Sequence, residues 1–304
     1  MIMAMYSVKK ISQSQFIPIR GLQYHTHVWG KPRSNTAPLV MVHGWMDVGA
    51  SFQFVVDALS HDRYVIAPDW RGYGKTVGPA TDNFWHPDYM ADLDFLLDHY
   101  SLDAPVDLVG HSMGGNVVMQ YAGVRPARIR RLINLEGFGM PVTEPSQAPA
   151  RYAKWMDQLK SYARGELDLR PYAEPAGVAR RLMKTNPRLT QDKADWLAQH
   201  WAAPNAHGQW EILGHPAHKI TNAQLSRLEE VQACYARISA PVLAVEASDN
   251  EMGNWYKGAY TLAQYHERLQ AVPDLKVQVI AQAGHMLHHD QPEQLARMIE
   301  AFLD

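Results

Sequence analysis

The sequence predicts an α/β protein built on a parallel sheet with crossover helices. Three observations carry that reading. Short β-branched, apolar runs alternate with longer helical patterns, as strand–helix–strand units do. One such run ends in a glycine-flanked serine that opens a helical pattern. Between residues 140 and 238 the texture changes to helical stretches broken by prolines, without a buried-strand run.

Taken in order, residues 22–28, 39–42 and 64–67 read as strands, with a helical pattern at 51–59 between the second and third. Helical periodicity over 89–99 leads to a strand at 106–109, and a helix at 113–123 leads to a strand at 132–135. The segment 140–238 carries helical patterns at 152–159, 191–201 and 224–235, and prolines at 141, 145, 149, 171, 175, 187, 204 and 216 cut it into pieces. It reads as a mostly helical insertion between two strands of the sheet. The strand pattern resumes at 242–245 and 276–280, and an amphipathic helix at 292–303 closes the chain. Pro292 suits a first helical turn, where its missing N–H costs nothing. The division expected is therefore core at 1–139, helical cap at 140–238 and core again at 239–304.

Composition narrows the function. The chain has 304 residues, with 29 Lys and Arg against 31 Asp and Glu, a formal charge of −2. That balance argues against a nucleic-acid partner, which calls for a clustered basic face. Apolar residues are 46% of the chain, and at this length roughly 75% of the unfolded surface can be buried. Nine Trp, fourteen Tyr and seven Phe argue against disorder. Cys234 is the single cysteine, which excludes an intramolecular disulfide and zinc sites built on paired thiolates. Residues 1–10 lack the hydrophobic run of a leader, and no stretch approaches the ~18–20 apolar residues of a membrane helix. A cytoplasmic protein without stable membrane insertion is expected.

The sharpest chemical signal is Gly110-His111-Ser112-Met113-Gly114-Gly115, directly after Val106-Asp107-Leu108-Val109. A tight strand-to-helix turn strains the serine backbone and presents its hydroxyl, and small neighbours let strand and helix approach. The helix N-terminus behind it favours developing negative charge. A serine needs a base, and His285 in Ala283-Gly284-His285-Met286 stands out among 15 histidines because it follows a strand and a glycine. His288 and His289 lie nearby, but adjacent side chains rarely point the same way and no carboxylate-rich spacing accompanies them. No metal and no cofactor is expected.

These motifs together resemble the α/β-hydrolase superfamily, within its capped serine hydrolases. His43-Gly44-Trp45, Asp69-Trp70-Arg71-Gly72-Tyr73-Gly74, Gly110–Gly115 and Gly284-His285 with Gln291-Pro292-Glu293 run in that family's order. The resemblance covers residues 20–139 and 240–304. It implies a mostly parallel eight-stranded sheet flanked by helices, with the helical cap inserted between strands 6 and 7. It also implies an oxyanion hole made by the backbone N–H groups of Trp45 and Met113, and a structural role for residues 69–74 against that turn.

The triad acid is where the chain departs from the family pattern. The family commonly places it after the strand at 242–245, where this chain has Ala247-Ser248-Asp249-Asn250, with aspartate one residue early. Some relatives place it after the preceding strand, where Leu135-Glu136-Gly137 stands. A buried strand-end carboxylate needs a partner. Glu136 is therefore the expected acid and Asp249 the alternative.

Trp45, Met46, Met113, Phe138, Met140 and Met286 surround the serine in sequence, and the insertion adds Trp155, Trp196, Trp201 and Trp210. His43, Gly44, His111, Phe138, Met140 and Met286 are the expected pocket residues. Arg151, Arg180 and Arg181 read as solvated. The expected substrate is a small molecule with an apolar acyl or aryl portion. The implied reaction is hydrolysis of a carboxylic ester, thioester or lactone through an acyl-enzyme on Ser112. The alternatives are a carbon–carbon bond hydrolase of the aromatic-degradation type and a non-catalytic ligand-binding relative.

Overall fold

A computed structural model of the chain describes residues 6–304; the first five residues of the segment 1–10 lie outside the described residues. The chain opens with β1 (Gln13–Ile19), β2 (Leu22–Trp29) and β3 (Leu39–Val42), then α1 (Gln53–Ala58), β4 (Val65–Pro68) and α2 (His86–Tyr100). Next come β5 (Val106–His111), α3 (Met113–Val124) and β6 (Ile129–Leu135). The insertion holds α4 (Ala148–Ala163), α5 (Pro175–Thr185), α6 (Gln191–Trp201), β7 (Ala202–Pro204), β8 (Trp210–Ile212) and α7 (Leu228–Tyr235). The chain ends with β9 (Val242–Ala247), α8 (Met252–Tyr256), α9 (Leu262–Leu269), β10 (Leu275–Ile280), α10 (Leu287–Asp290) and α11 (Pro292–Leu303).

Eight strands form one sheet in the order β1-β2-β4-β3-β5-β6-β9-β10. β1, β2 and β4 pair antiparallel, and every other neighbour is parallel. The central strands β3, β4, β5 and β9 are buried along their whole length, as parallel strands covered on both faces must be. One face packs on α2, α3 and α9 through Leu93, Leu96, Val117, Val118 and Leu269. The other packs on α1 and α11 through Val55, Val56, Leu295, Ile299 and Leu303. In α11 those residues recur at helical spacing, so one stripe of an otherwise polar helix meets the sheet.

β1, α5, the hairpin of β7 with β8, and the short helices α8, α9 and α10 were not anticipated, whereas α7 was expected as a helix but not in its layer. β1 lies at the sheet edge and carries Pro18, a residue an interior strand does not tolerate. The insertion contains α5 and the short hairpin of β7 with β8. Its last helix, α7, leaves the insertion and lies against α3 in the core layer. There a Cβ on Gly123 would stand 1.9 Å from the Cys234 carbonyl oxygen. Helices α5 and α6 bury Val178, Leu182 and Leu197 against Phe54, over the carboxyl ends of the sheet strands, whereas α4 has no fully buried residue. Among the described residues, no helix is long and apolar enough to cross a membrane.

Candidate active site

The site lies at the carboxyl ends of β3, β5, β6 and β10, where open α/β sheets place ligands. Ser112 occupies the single residue between β5 and α3, at φ 53° and ψ −115°. Non-glycine residues avoid that region, and the surroundings must hold it there. The Ser112 N–H donates to the Leu135 carbonyl at 2.8 Å, and its own carbonyl accepts from Asn116 N–H at 3.0 Å. Glycine is required around it. A Cβ on Gly110 would stand 2.4 Å from the Gly114 carbonyl, and one on Gly114 2.5 Å from the Val42 carbonyl.

His285 sits on the loop between β10 and α10. Its carbonyl accepts a hydrogen bond from His111 Nε2 at 2.8 Å. Asp290 accepts from Gly284 N–H at 2.8 Å and from Asn186 Nδ2 of the insertion at 2.7 Å, which ties the loop at both ends. The ring of Trp255, on α8, stands edge-on 4.3 Å from the His285 ring. Nothing in the sequence distinguished this tryptophan, because α8 is only five residues long.

Glu136 follows β6 at φ 55°. Asn134 closes that turn, accepting from Gly137 N–H and donating to the Gly137 carbonyl, both at 3.0 Å. The carboxylate is 2% exposed. Oε1 accepts from Ala247 N–H at 2.7 Å, and Oε2 faces His285 Nδ1 at 3.3 Å. Burial raises its pKa above the ordinary carboxylate value, while His285 and the Ala247 amide pull it back. Asp249 has different company. Its carboxylate is about half exposed and pairs with Arg188 of the insertion, and its N–H donates to the Ala283 carbonyl at 3.0 Å.

The turn after β3 passes directly against the serine, since a Cβ on Gly44 would lie 3.0 Å from Ser112 Cβ. The Trp45 amide follows it. The Met113 amide heads α3, where a backbone N–H has no partner within its own helix. Two hydrogen bonds fix that turn to the next loop: Trp70 N–H donates to His43 Nε2 at 2.9 Å, and Trp70 Nε1 donates to the His43 carbonyl at 3.0 Å. Asp69 adds a third tie, accepting from Gly49 N–H at 2.8 Å.

Ser112 and His285 open into one cavity of about 1480 Å³ between sheet and insertion. Its wall includes Gly44, Trp45, His111, Met113, Met140 and Met286. His43 and Phe138, two of the expected pocket residues, are placed elsewhere. His43 is fully buried and spends both ring nitrogens on the Trp70 amide and the Gly44 carbonyl. Phe138 packs edge-on against Tyr265 at 5.0 Å within the core. Of the four insertion tryptophans Trp201 reaches the wall, whereas Trp196 packs on Phe54 and His200. Arg151 and Arg181, read from sequence as solvated, also line the cavity.

Comparison with known proteins agrees with this architecture. A family model described as the alpha/beta hydrolase fold matches residues 37–292. A serine hydrolase-like protein of Danio rerio is 24% identical over 293 residues, 94% of this chain and 87% of that protein. The 2-hydroxy-6-oxo-2,4-heptadienoate hydrolase of Pseudomonas putida is 38% identical over 106 residues, 34% of this chain and 38% of the relative. The solved thioesterase domain from the curacin biosynthetic pathway superposes with a TM-score of 0.81 at 22% identity, covering 95% of this chain and 99% of that one.

Proposed function

The chain belongs to the α/β-hydrolase fold family, and from that premise we propose that it is a serine hydrolase cleaving carboxylic esters, thioesters or lactones with an apolar acyl or aryl group. The observation that carries the reading is the pairing of buried Glu136 with the partly exposed His285 beside the cavity into which Ser112 opens. With its Nδ1–H directed at Glu136, the imidazole keeps a lone pair on Nε2 to serve as the base. Ser112 Oγ attacks the substrate carbonyl carbon as His285 takes the hydroxyl proton. The amides of Trp45 and Met113 receive the oxyanion, each such donor being worth roughly 10²–10³ in rate. Collapse expels the alcohol, thiol or ring alkoxide, which leaves with the proton from His285. Water deprotonated by His285 then attacks the acyl-Ser112 carbonyl, and the serine leaves with that proton. Met113, Met140, Met286 and Trp255 give the cavity apolar surface for the acyl or aryl group.

A carbon–carbon bond hydrolase would use the same three residues. The 38% identity with 2-hydroxy-6-oxo-2,4-heptadienoate hydrolase supports that second reading. The test is hydrolysis of p-nitrophenyl esters from acetate to palmitate by wild type beside Ser112→Ala. Turnover that vanishes in the variant is the expected result. Equal background in both folded proteins would overturn the ester reading, and vinylogous ketones would then test the second.

A further inference from the structure

Two buried clusters combine two histidines with an aspartate: His25, His27 and Asp69, and Asp47, His111 and His288. They differ in how their polar atoms are satisfied. In the first, His25 Nδ1 bonds Asp69 at 2.7 Å, His25 Nε2 bonds Ser14 Oγ at 2.6 Å, and His27 Nδ1 bonds Ser12 Oγ at 3.3 Å. In the second, Asp47 Oδ2, His111 Nδ1 and both ring nitrogens of His288 have no hydrogen-bond partner among the described residues. His288 Nε2 stands 3.6 Å from Asp47 Oδ2, beyond hydrogen-bond length. All three side chains are at most 3% exposed. So many orphaned atoms converging in one buried place call for an occupant.

We propose that Asp47, His111 and His288 form a binding site for a divalent transition-metal ion of the zinc class. The donor chemistry matches. A carbonyl only accepts, so the 2.8 Å bond from His111 Nε2 to the His285 carbonyl fixes the proton on Nε2 and leaves a lone pair on Nδ1. Asp47 Oδ1 is already held by Ser51 Oγ and the Val48 N–H, which orients Oδ2 as the free oxygen. Bonds of this kind behind the ligands are what zinc sites use to aim their donors. The three ligand atoms lie within 4.8 Å of one another, so modest contraction brings them to the ~2.0–2.2 Å bonds of zinc. Gly44 leaves room beside His111 Nδ1, where a Cβ would stand 3.1 Å away. Asp47 and His111 also line the large cavity, which gives an ion its way in. A dication would neutralise the buried carboxylate, which a water molecule cannot do.

His288 read alone in sequence gives no hint of this, because its partners come from the turn after β3 and the end of β5. An ion drawn onto His111 is felt at the His285 loop through the bond to its carbonyl. That effect on turnover rests on the proposed hydrolase reaction; binding itself does not.

The test is titration of metal-free, full-length protein with Zn²⁺ by calorimetry and with Co²⁺ by visible absorption. One ion per chain is expected, with the d–d spectrum of four-coordinate Co²⁺. Asp47→Asn and His288→Gln should each weaken binding by roughly 100-fold and Ser51→Ala by about tenfold, with the exposed His207→Gln unchanged. X-ray absorption on zinc-loaded wild type reads the ligands without any variant, and two imidazoles with one carboxylate oxygen are expected. A folded protein that takes up no stoichiometric ion, binding that survives Asp47→Asn and His288→Gln, or a ligand set other than this one would overturn the site. Water would then be its occupant.

Discussion

Glu136 and Asp249 both stand at the carboxyl edge of the sheet, and their surroundings separate them. Glu136 is buried against His285 and the Ala247 amide, whereas Asp249 faces solvent and Arg188. Glu136→Gln is therefore expected to lower kcat by roughly 10³–10⁴, the scale seen when a triad acid loses its charge, and Asp249→Asn to leave kcat within a few-fold. Stability should move the other way. The Glu136 pKa is raised in the fold, so the unfolded chain ionises this group first and the carboxylate costs stability as pH rises through that window. Thermal melts at pH 7 should show Glu136→Gln no less stable than wild type. Ser112 makes a similar trade in its backbone. At φ 53° it sits where glycine is at ease, so Ser112→Gly should gain about 1 kcal/mol in urea denaturation while turnover disappears.

At the scale of elements, close approach decides more than propensity. Alanine is preferred over glycine inside a helix by about 1 kcal/mol, which alone would make Gly123→Ala stabilising in α3. The Cys234 carbonyl only 1.9 Å from the new Cβ reverses the sign. Gly123→Ala should lower the urea midpoint, whereas Gly253→Ala in α8, with open space around it, should not. The same distinction explains what was legible in the sequence. β3, β5 and β9 were readable because strands buried on both faces are mostly apolar, with Asp107 of β5 and Glu246 of β9 as buried acidic exceptions. α11 was readable because its buried stripe has one period. β1, with Gln13, Gln15 and Pro18 on an edge, carries no such signal. The hairpin of β7 and β8 is three residues a side and is held by its neighbours rather than by its own pattern. α7 kept a helical pattern but not its layer, since packing on α3 is a tertiary fact.

For the molecule as a whole, the site assembles from parts as far apart in the chain as Trp45 and His285, 240 residues. The motifs at Ser112, His285, Trp45 and Met113 were legible because turn geometry restricts which residues can stand there. Trp255, Arg188 and Asp47 were not, because only the closed fold brings them to the cavity or behind it. Closing the fold also buries neutral histidines. Burial lowers the pKa of His27 and His200 to about 4 and of His218 to about 3, below the free value of 6.5. The unfolded chain therefore takes up protons that the fold refuses, and stability falls as pH drops from about 6.5 toward 4. The slope is roughly 1.4 kcal/mol per pH unit for each such histidine. Urea midpoints between pH 7 and 4.5 check this, and a flat profile would contradict it.

Whether Ser112 is the nucleophile is read from intact mass after exposure of the folded protein to a fluorophosphonate. A single adduct on Ser112 of the wild type is expected, slowed in His285→Ala and absent in Ser112→Ala. Folded wild-type protein that stays unlabelled, or carries the label on another residue, would contradict Ser112 as the nucleophile.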